Sequence, residues 1–332
     1  MDSLFAFGLG VSTLNRAGKV IDTFFPAPLH QVTGAVASQI QDRFTAGSQQ
    51  VSPASVQAFI DQVQPELRPL LEADRDLTAV FLPKDSDIGS TSEAFLKLHL
   101  LSHRLRLPNT MNLDGIFGHL PNIAWTSRGA IDLTELASLQ LEARVRGEYF
   151  EVHSVDKFPK MANYVVPTGV RIADTSRIRL GAYLGEGTTV MPSGAINFNA
   201  AALGPNMVEG RISQGVILGA DTDLGGGAST MGTLSGGGNI TISIGKQCLI
   251  GANGGTGIPL GDRCTIEAGL YITAGTRVTV VDETGETVRV VKARELAGHS
   301  DLLFIRHGSN GAIQCRTNRK AIALNEQLHD HN

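Results

Sequence analysis

From residue 166 onward, aliphatic side chains recur at every sixth position: Val166, Ile172, Ile178, Leu184, Val190, Ile196, Ala202 and Val208. The residue that follows each is often small or polar, as at Ala173, Gly185 and Glu209. The register then slips to four and resumes at Ile212, Leu218 and Leu224. It returns at Ile244 and Ile250, and again at Leu260, Ile266, Ile272 and Val278. A helix repeats every 3.6 residues and an ordinary strand every 2, so neither produces this spacing. A six-residue period held over a Gly-rich, β-branched stretch predicts a solenoid of very short strands. Stacked coils then bury a continuous apolar column, the pattern of a parallel β-helix.

The longest break in the period lies between Leu224 and Ile244 and contains Asp223 to Ile240, "DLGGGASTMGTLSGGGNI". Its two triple-glycine runs, Gly225–Gly227 and Gly236–Gly238, raise the question of a phosphate loop. A Walker motif needs Gly-Lys-Ser/Thr, whereas Gly245-Lys246 is followed by Gln247. A dinucleotide fingerprint needs a strand–helix context that is missing here. The glycines fit either coil corners or a bared backbone whose N–H groups stabilise an oxyanion. Interruptions of a solenoid commonly carry function, so the segment reads as an inserted loop or irregular coil.

The flanks lack the period. Helical patterns cover Ser55–Leu71, Ser92–Leu105 and Thr134–Arg146, the last with Asp132 or Thr134 as its cap. The β-like runs "SLFAFGLGVS" and "GKVIDTFF" complete an N-terminal α/β domain over 1–150. The solenoid occupies 151–280. Beyond it, "TRVTVVDETGETVRVVKAREL" predicts two strands around a turn, within a C-terminal hairpin and tail over 281–332 that ends in a short helix, "AIALNEQLHDHN".

Composition narrows the chemistry. Apolar residues make up 42% of the 332, as in a globular protein. The net charge is −4 and no Lys/Arg-rich block stands out, which disfavours nucleic acid as partner. No apolar run is long enough to span a membrane, and the start "MDSLFAFGLG" is not that of a signal peptide. Three scattered cysteines, Cys248, Cys264 and Cys315, suit neither a disulfide framework nor structural zinc, so a reducing cytoplasm is expected. All nine histidines lie outside 154–298. The coils therefore lack the imidazole-rich site that a zinc hydratase needs and a coil histidine for use as a general base. His99, His103, His119 and His153 read as surface or structural residues.

Carboxylates are the remaining proton acceptors on the coils: Asp174, Glu186, Glu209, Asp221, Asp223, Asp262 and Glu267. Most are expected to be solvated turn residues. Glu209 differs because it follows the last aliphatic residue of the first register, in "NMVEGRIS", where the period slips. Shielding by Met207 and Val208 would suit it to a general base.

Several runs together resemble the tetrahydrodipicolinate N-succinyltransferase family of the lysine/diaminopimelate pathway: "LKLHLLSHRL", "NLDGIF", "VDKFPKM", "YVVPTGVRIAD", "RLGAYLGEGTTVM", "NFNA", "MVEGRIS", "GGGASTMGTLSGGG", "EAGLYITAGT" and "KARELAG". The resemblance spans almost the whole chain. It implies a mainly β protein, a left-handed parallel β-helix with an N-terminal α/β domain and a small C-terminal β/α extension. It implies a homotrimer with active sites between subunits, and succinyl transfer from succinyl-CoA to the amino group of L-2-amino-6-oxopimelate. The alternative is a related acyltransferase that uses acetyl-CoA or another amine acceptor. Glu209 falls in the family's "EGR" motif, where it is described either as general base or as the site of an acyl-anhydride; the base is preferred, since a deprotonated amine attacks a thioester directly. Gly232 is implied as the oxyanion N–H donor.

For the coenzyme, the resemblance implies Arg211, Gly226, Ser229, Ala252, Glu267, Ala268, Gly275, Lys292, Leu302, Leu303, Phe304 and Ile305. Arg211 suits the succinyl carboxylate by a two-pronged hydrogen bond. Where the family usually reads "MHEGFVNFNAG", this chain has "MPSGAINFNAAAL", with Pro192-Ser193 in place of a His-Glu pair. Some relatives hold magnesium through acids at the positions of Ser176 and Ser193. Hydroxyls are poor magnesium ligands, so no metal is expected.

Overall fold

The computed structural model describes residues 3–234 and 240–317. The second triple-glycine run and the C-terminal segment read as a short helix lie outside the described residues. The chain divides into two compact units, Met1–Leu100 with Thr110–Pro159 and Asn163–Val165, and Leu101–Asn109 with Lys160–Ala162 and Val166–Asn332.

In the first unit an antiparallel sheet runs in the order Val20–Phe24, Leu4–Leu14, Leu77–Leu82, Gly47–Val51, with Leu29–Val32 also paired to Leu4–Leu14. Helices Gly34–Arg43 and Pro53–Val63 pack their apolar stripes on it through Ala37, Ile40, Val56, Phe59 and Ile60. The rings of Phe7, Phe44 and Phe59 meet with centroids 4.8–5.4 Å apart. Pro53 presets the first turn of its helix, and the Ser52 hydroxyl accepts from the Ser55 N–H at 3.3 Å. The predicted helix over 55–71 is therefore two elements, because Pro65 breaks it and a tighter 3₁₀ segment, Pro65–Glu72, follows. Helix Leu133–Val145 starts at Asp132, whose carboxylate accepts from the Thr134 N–H and hydroxyl. Lys97, fully buried, donates to Asp85 Oδ1 (2.8 Å) and to the carbonyls of Ser86 and Asn112 (both 2.6 Å). His99 is fixed structurally, accepting from the Phe25 N–H at 3.2 Å and donating to the Phe95 carbonyl at 2.7 Å.

The second unit is a three-faced parallel β-helix. The first face stacks Ile172, Val190, Val208, Leu224, Ile250, Ile266 and Phe304 in register. The second stacks Ile178, Ile196, Ile212, Thr230, Thr256 and Ile272. The third stacks Leu184, Ala202, Leu218, Ile244 and Leu260. All of these side chains but Ile172 are buried, so the six-residue period is the successive inward residues of a triangular coil. Val166 is the exception to the predicted column: it is 66% exposed and precedes the first coil. Thr230 and Thr256 take the inward places where the aliphatic count skips. Between Thr230 and Ile244 the chain leaves the coil, bridged by Thr233 and Thr241, so the insertion follows the second face. The coil ends on Phe304 and on the antiparallel hairpin Arg277–Val281 with Thr287–Lys292, as the sequence predicts. Among the described residues no helix is long and apolar enough to cross a membrane.

Candidate active site

The corner joining the first face to the second carries five of the candidate residues, Glu209, Gly226, Ala252, Glu267 and Ala268. Each corner opens with a backbone hydrogen bond to the next coil: Ala173 to Val190, Met191 to Val208, Glu209 to Leu224, Gly225 to Ile250, Gly251 to Ile266 and Glu267 to Phe304, all N–H to carbonyl at 2.8–3.0 Å. This ladder stacks Ala173, Met191, Glu209, Gly225, Gly251 and Glu267, with Ser176, Ser193, Gly226, Ala252 and Ala268 on the same corners one to three residues further on. The slip in the period is here. Val208 and Ile212 are four residues apart, whereas the corners on either side, Val190 to Ile196 and Leu224 to Thr230, span six. The short corner leaves a notch, and Glu209 stands in it.

Neighbouring corners grip the Glu209 backbone. Its carbonyl accepts from the Ser193 hydroxyl at 2.8 Å and from the Gly227 N–H at 3.4 Å. Its half-buried carboxylate faces Gly226, where an added Cβ would lie 3.6 Å from Oε2. Gly227 has a φ of +69°, and a side chain on it would strike the Asn253 amide oxygen, so this glycine is a corner requirement. Gly210 admits the close approach of the Ala228 carbonyl from the next corner.

Past the corner, the outward positions of the second face form a second column: Ala195, Arg211, Ser229, Gly255 and Tyr271. Arg211 is exposed, beside Ser229 in register. Gly232 lies at the opposite end of the second-face strand, where the insertion begins. A Cβ there would sit 3.0 Å from the Gln214 carbonyl oxygen and 3.9 Å from Cβ of Ser213, residues of the next corner of the coil. The structure therefore does not bring Gly232 beside Glu209 within one chain.

The remaining candidates lie toward the C-terminal end. The Glu267 carboxylate accepts from the Arg306 N–H at 2.8 Å, and the Arg306 guanidinium reaches the Gly269 carbonyl. Phe304 is fully buried as the last inward residue of the first face, so only its backbone is available to a ligand, and its carbonyl is taken by Glu267. Leu302, Leu303 and Ile305 are half-buried. Gly275 is exposed with open space around it, so no packing demand of the fold accounts for its missing side chain. Lys292 is exposed and pairs across the hairpin with Arg277. Directly opposed cations repel, so this pair favours an anionic neighbour. Sequence reading missed Arg277 and Arg306; only the hairpin register and the return of strand Leu302–Arg306 to the coil put them with the others.

The two serines at the magnesium-binding positions of some relatives are engaged. The Ser176 hydroxyl donates to the Asp174 carboxylate at 2.6 Å, which holds that carboxyl below its ordinary range, and the Ser193 hydroxyl donates to the Glu209 backbone carbonyl. Among the described residues no group of three or more His, Cys, Asp or Glu side chains is placed to hold a metal ion.

A column of a carboxylate, bare glycine backbone and a guanidinium, continued by small residues toward a cationic end, suits proton transfer beside an extended acidic ligand. Comparison with known proteins narrows this. Residues 120–160 match the family model "Tetrahydrodipicolinate N-succinyltransferase middle", and residues 241–274 match "Hexapeptide repeat of succinyl-transferase". The chain is 56% identical to a 2,3,4,5-tetrahydropyridine-2,6-dicarboxylate N-succinyltransferase of Pseudomonas aeruginosa, with 99% of each chain covered. A protein of the same name from Vibrio cholerae is 50% identical, again over 99% of each. A solved structure from Campylobacter jejuni, described as a 2,3,4,5-tetrahydropyridine-2-carboxylate N-succinyltransferase, superposes with a TM-score of 0.86 at 31% identity, covering 97% of this chain and 94% of that one.

Proposed function

The chain belongs to the tetrahydrodipicolinate N-succinyltransferase family, and from that premise we propose that Glu209, in the notch of the short corner, is the general base of the reaction. The protein is an acyltransferase, an N-succinyltransferase of lysine and diaminopimelate biosynthesis. Its donor is succinyl-CoA and its acceptor the amino group of L-2-amino-6-oxopimelate. Glu209 takes a proton from the acceptor ammonium, and the freed amine attacks the thioester carbonyl. The tetrahedral oxyanion receives the Gly232 N–H. Collapse breaks the C–S bond; the proton on Glu209 passes to the departing thiolate, and the second proton of the attacking nitrogen is lost to the freed Glu209 carboxylate and from it to solvent, leaving the neutral amide. No covalent acyl-enzyme is required.

The single observation that carries this reading is the shortened corner, which presents one carboxylate against the bare Gly226 corner and two residues before Arg211 in sequence. Arg211 pairs with the succinyl carboxylate, Gly226 and Ser229 flank the thioester, and Ala252, Ala268 and Gly275 leave a groove for the pantetheine arm. Glu267 orders strand Leu302–Ile305 beside it through the Arg306 N–H. Lys292, with Arg277, meets the coenzyme phosphates. Glu209 and Gly232 occupy opposite ends of the second face, which supports a homotrimer whose sites take Glu209 from one subunit and Gly232 from another. The hexapeptide repeat supports a left-handed coil, and the buried free thiols of Cys248, Cys264 and Cys315 support a cytoplasmic setting.

The test is thiol release on mixing the protein with succinyl-CoA and the acceptor. Release that depends on acceptor, and is at least tenfold slower with acetyl-CoA at equal concentration, is expected. Equal release with and without acceptor would refute the transfer, and equal rates with both donors would refute the role of Arg211.

A further inference from the structure

Gly255 sits inside a strand, where glycine weakens the strand and leaves nothing to pack. It points outward in the second-face column, between Ser229 and Tyr271. The phenol ring of Tyr271 accounts for it: a Cβ at 255 would lie 2.6 Å from Tyr271 Cδ2 and 2.6 Å from the Ser229 carbonyl oxygen. The ring therefore does not project straight into solvent. It folds back across Gly255 toward the coil that carries Ser229. A tyrosine side chain is longer than one strand spacing of about 4.8 Å, so a ring laid over Gly255 has the length to bring its hydroxyl end toward the coil of Ser229 and Arg211. Tyr271 remains 37% exposed, so part of the ring is open to a ligand.

The position matters because of its neighbours. Tyr271 follows Ala268 by three residues, as Gly255 follows Ala252 and Ser229 follows Gly226. The ring thus stands along the same groove as the corner column, one face over. Among the outward residues of this column it is the only aromatic, the others being Ala195, Arg211, Ser229 and Gly255.

We infer that Tyr271 is a further donor-binding residue, its ring seated on Gly255 as the wall against which the pantetheine arm of the thioester lies. The inference rests on succinyl-CoA being the donor. A pantetheine arm alternates methylenes with amides. The ring face takes the methylenes by apolar contact, and the phenol hydroxyl donates to an amide carbonyl. Arg211 fixes the carboxylate end of the acyl group while Tyr271 fixes the arm behind the sulfur, so the thioester carbonyl is held from both sides. Gly255 contributes by leaving room for the ring, and acts through it.

The experiment is a double-mutant cycle on the full-length enzyme, read as KM for succinyl-CoA, kcat, and binding of free CoA by calorimetry. Tyr271→Ala is expected to raise KM and the CoA dissociation constant roughly tenfold, with kcat within about threefold. Gly255→Ala displaces the ring and is expected to weaken binding similarly. In the Tyr271→Ala background the ring contact is gone and only the close approach to the Ser229 carbonyl remains, so the added loss should be clearly smaller than the loss Gly255→Ala causes in the wild type. Tyr271→Phe keeps the ring and should recover most of the affinity. Unchanged KM and CoA binding in a folded Tyr271→Ala enzyme would overturn the inference, as would additive effects of the two substitutions or a change confined to oligomer size. Wild-type protein that fails to turn over succinyl-CoA would instead refute the donor assignment, so the two failures are distinguishable.

Discussion

Gly210→Ala tests whether the short corner positions the base. The added methyl carbon would lie 2.9 Å from both the Ala228 carbonyl carbon and Leu224 Cγ, and closer still to the Ala228 carbonyl oxygen. Carbon–carbon contacts are comfortable at about 3.5–4.0 Å, so the corner must yield by roughly 0.6 Å or more. Leu224 is an inward residue of the coil and Ala228 is buried, so neither has an open side to retreat into. Overpacking of this kind costs about 1–3 kcal/mol. The displacement falls on Glu209, the residue next in sequence, and misplacing a reacting group by about 1 Å can cost on the order of 100-fold in rate. The expected result is a folded enzyme with its unfolding midpoint in urea lowered, a CoA affinity within about twofold of wild type, and kcat reduced roughly 10- to 100-fold. Stability lost with kcat within about twofold of wild type would refute the reasoning, because the corner would then be structural without positioning the carboxylate.

Two further substitutions test the first unit. Lys97→Ala removes a buried ammonium and leaves Asp85 and two carbonyls without their donor; a loss of about 3 kcal/mol in urea denaturation is expected, and a change under about 0.5 kcal/mol would show the clip to be dispensable. Asp132 caps helix Leu133–Val145, and hydrogen bonds from Asn15 and Thr134 hold its carboxyl below the ordinary range. Its folded pKa is lower than its unfolded one, so its contribution is present above the unfolded value near 3.9 and is lost as pH falls through the folded value. Asp132→Ala should cost about 1 kcal/mol at neutral pH, and the gap from wild type should narrow as the pH falls through the lowered folded value; a gap that persists unchanged in acid would contradict the capping role.

The β-helix was legible because its core is one-dimensional: each inward residue repeats at fixed spacing, and a chain of aliphatics reveals the coil. The places where the pattern faltered have separate physical causes. Thr230 and Thr256 are inward residues whose hydroxyls find local partners, Ser213 and Arg211 for one and Ile258 for the other, so a polar letter hides a core position. Val166 carries the right letter but precedes the coil that would cover it. In the first unit, Leu77–Leu82 is buried at every position, so no alternation marks it as a strand. Strand Leu302–Arg306 joins the first face across a long sequence gap, and no local signal reports that return. For the site, the slip at Glu209 was visible as a break in period. Its meaning, a notch between longer corners, needed the neighbouring coils. Likewise Tyr271 and Gly255 are adjacent only through register, sixteen residues apart in sequence.

Replacing Glu209 by Gln tests the central claim most directly, since the amide keeps the shape of the side chain and cannot accept the proton. Succinyl transfer would be measured as acceptor-dependent thiol release across pH, alongside CoA binding and oligomer size. The account predicts kcat reduced by at least about 100-fold, with CoA affinity and oligomer size unchanged. A kcat within about threefold of wild type in an intact Glu209→Gln enzyme would contradict it.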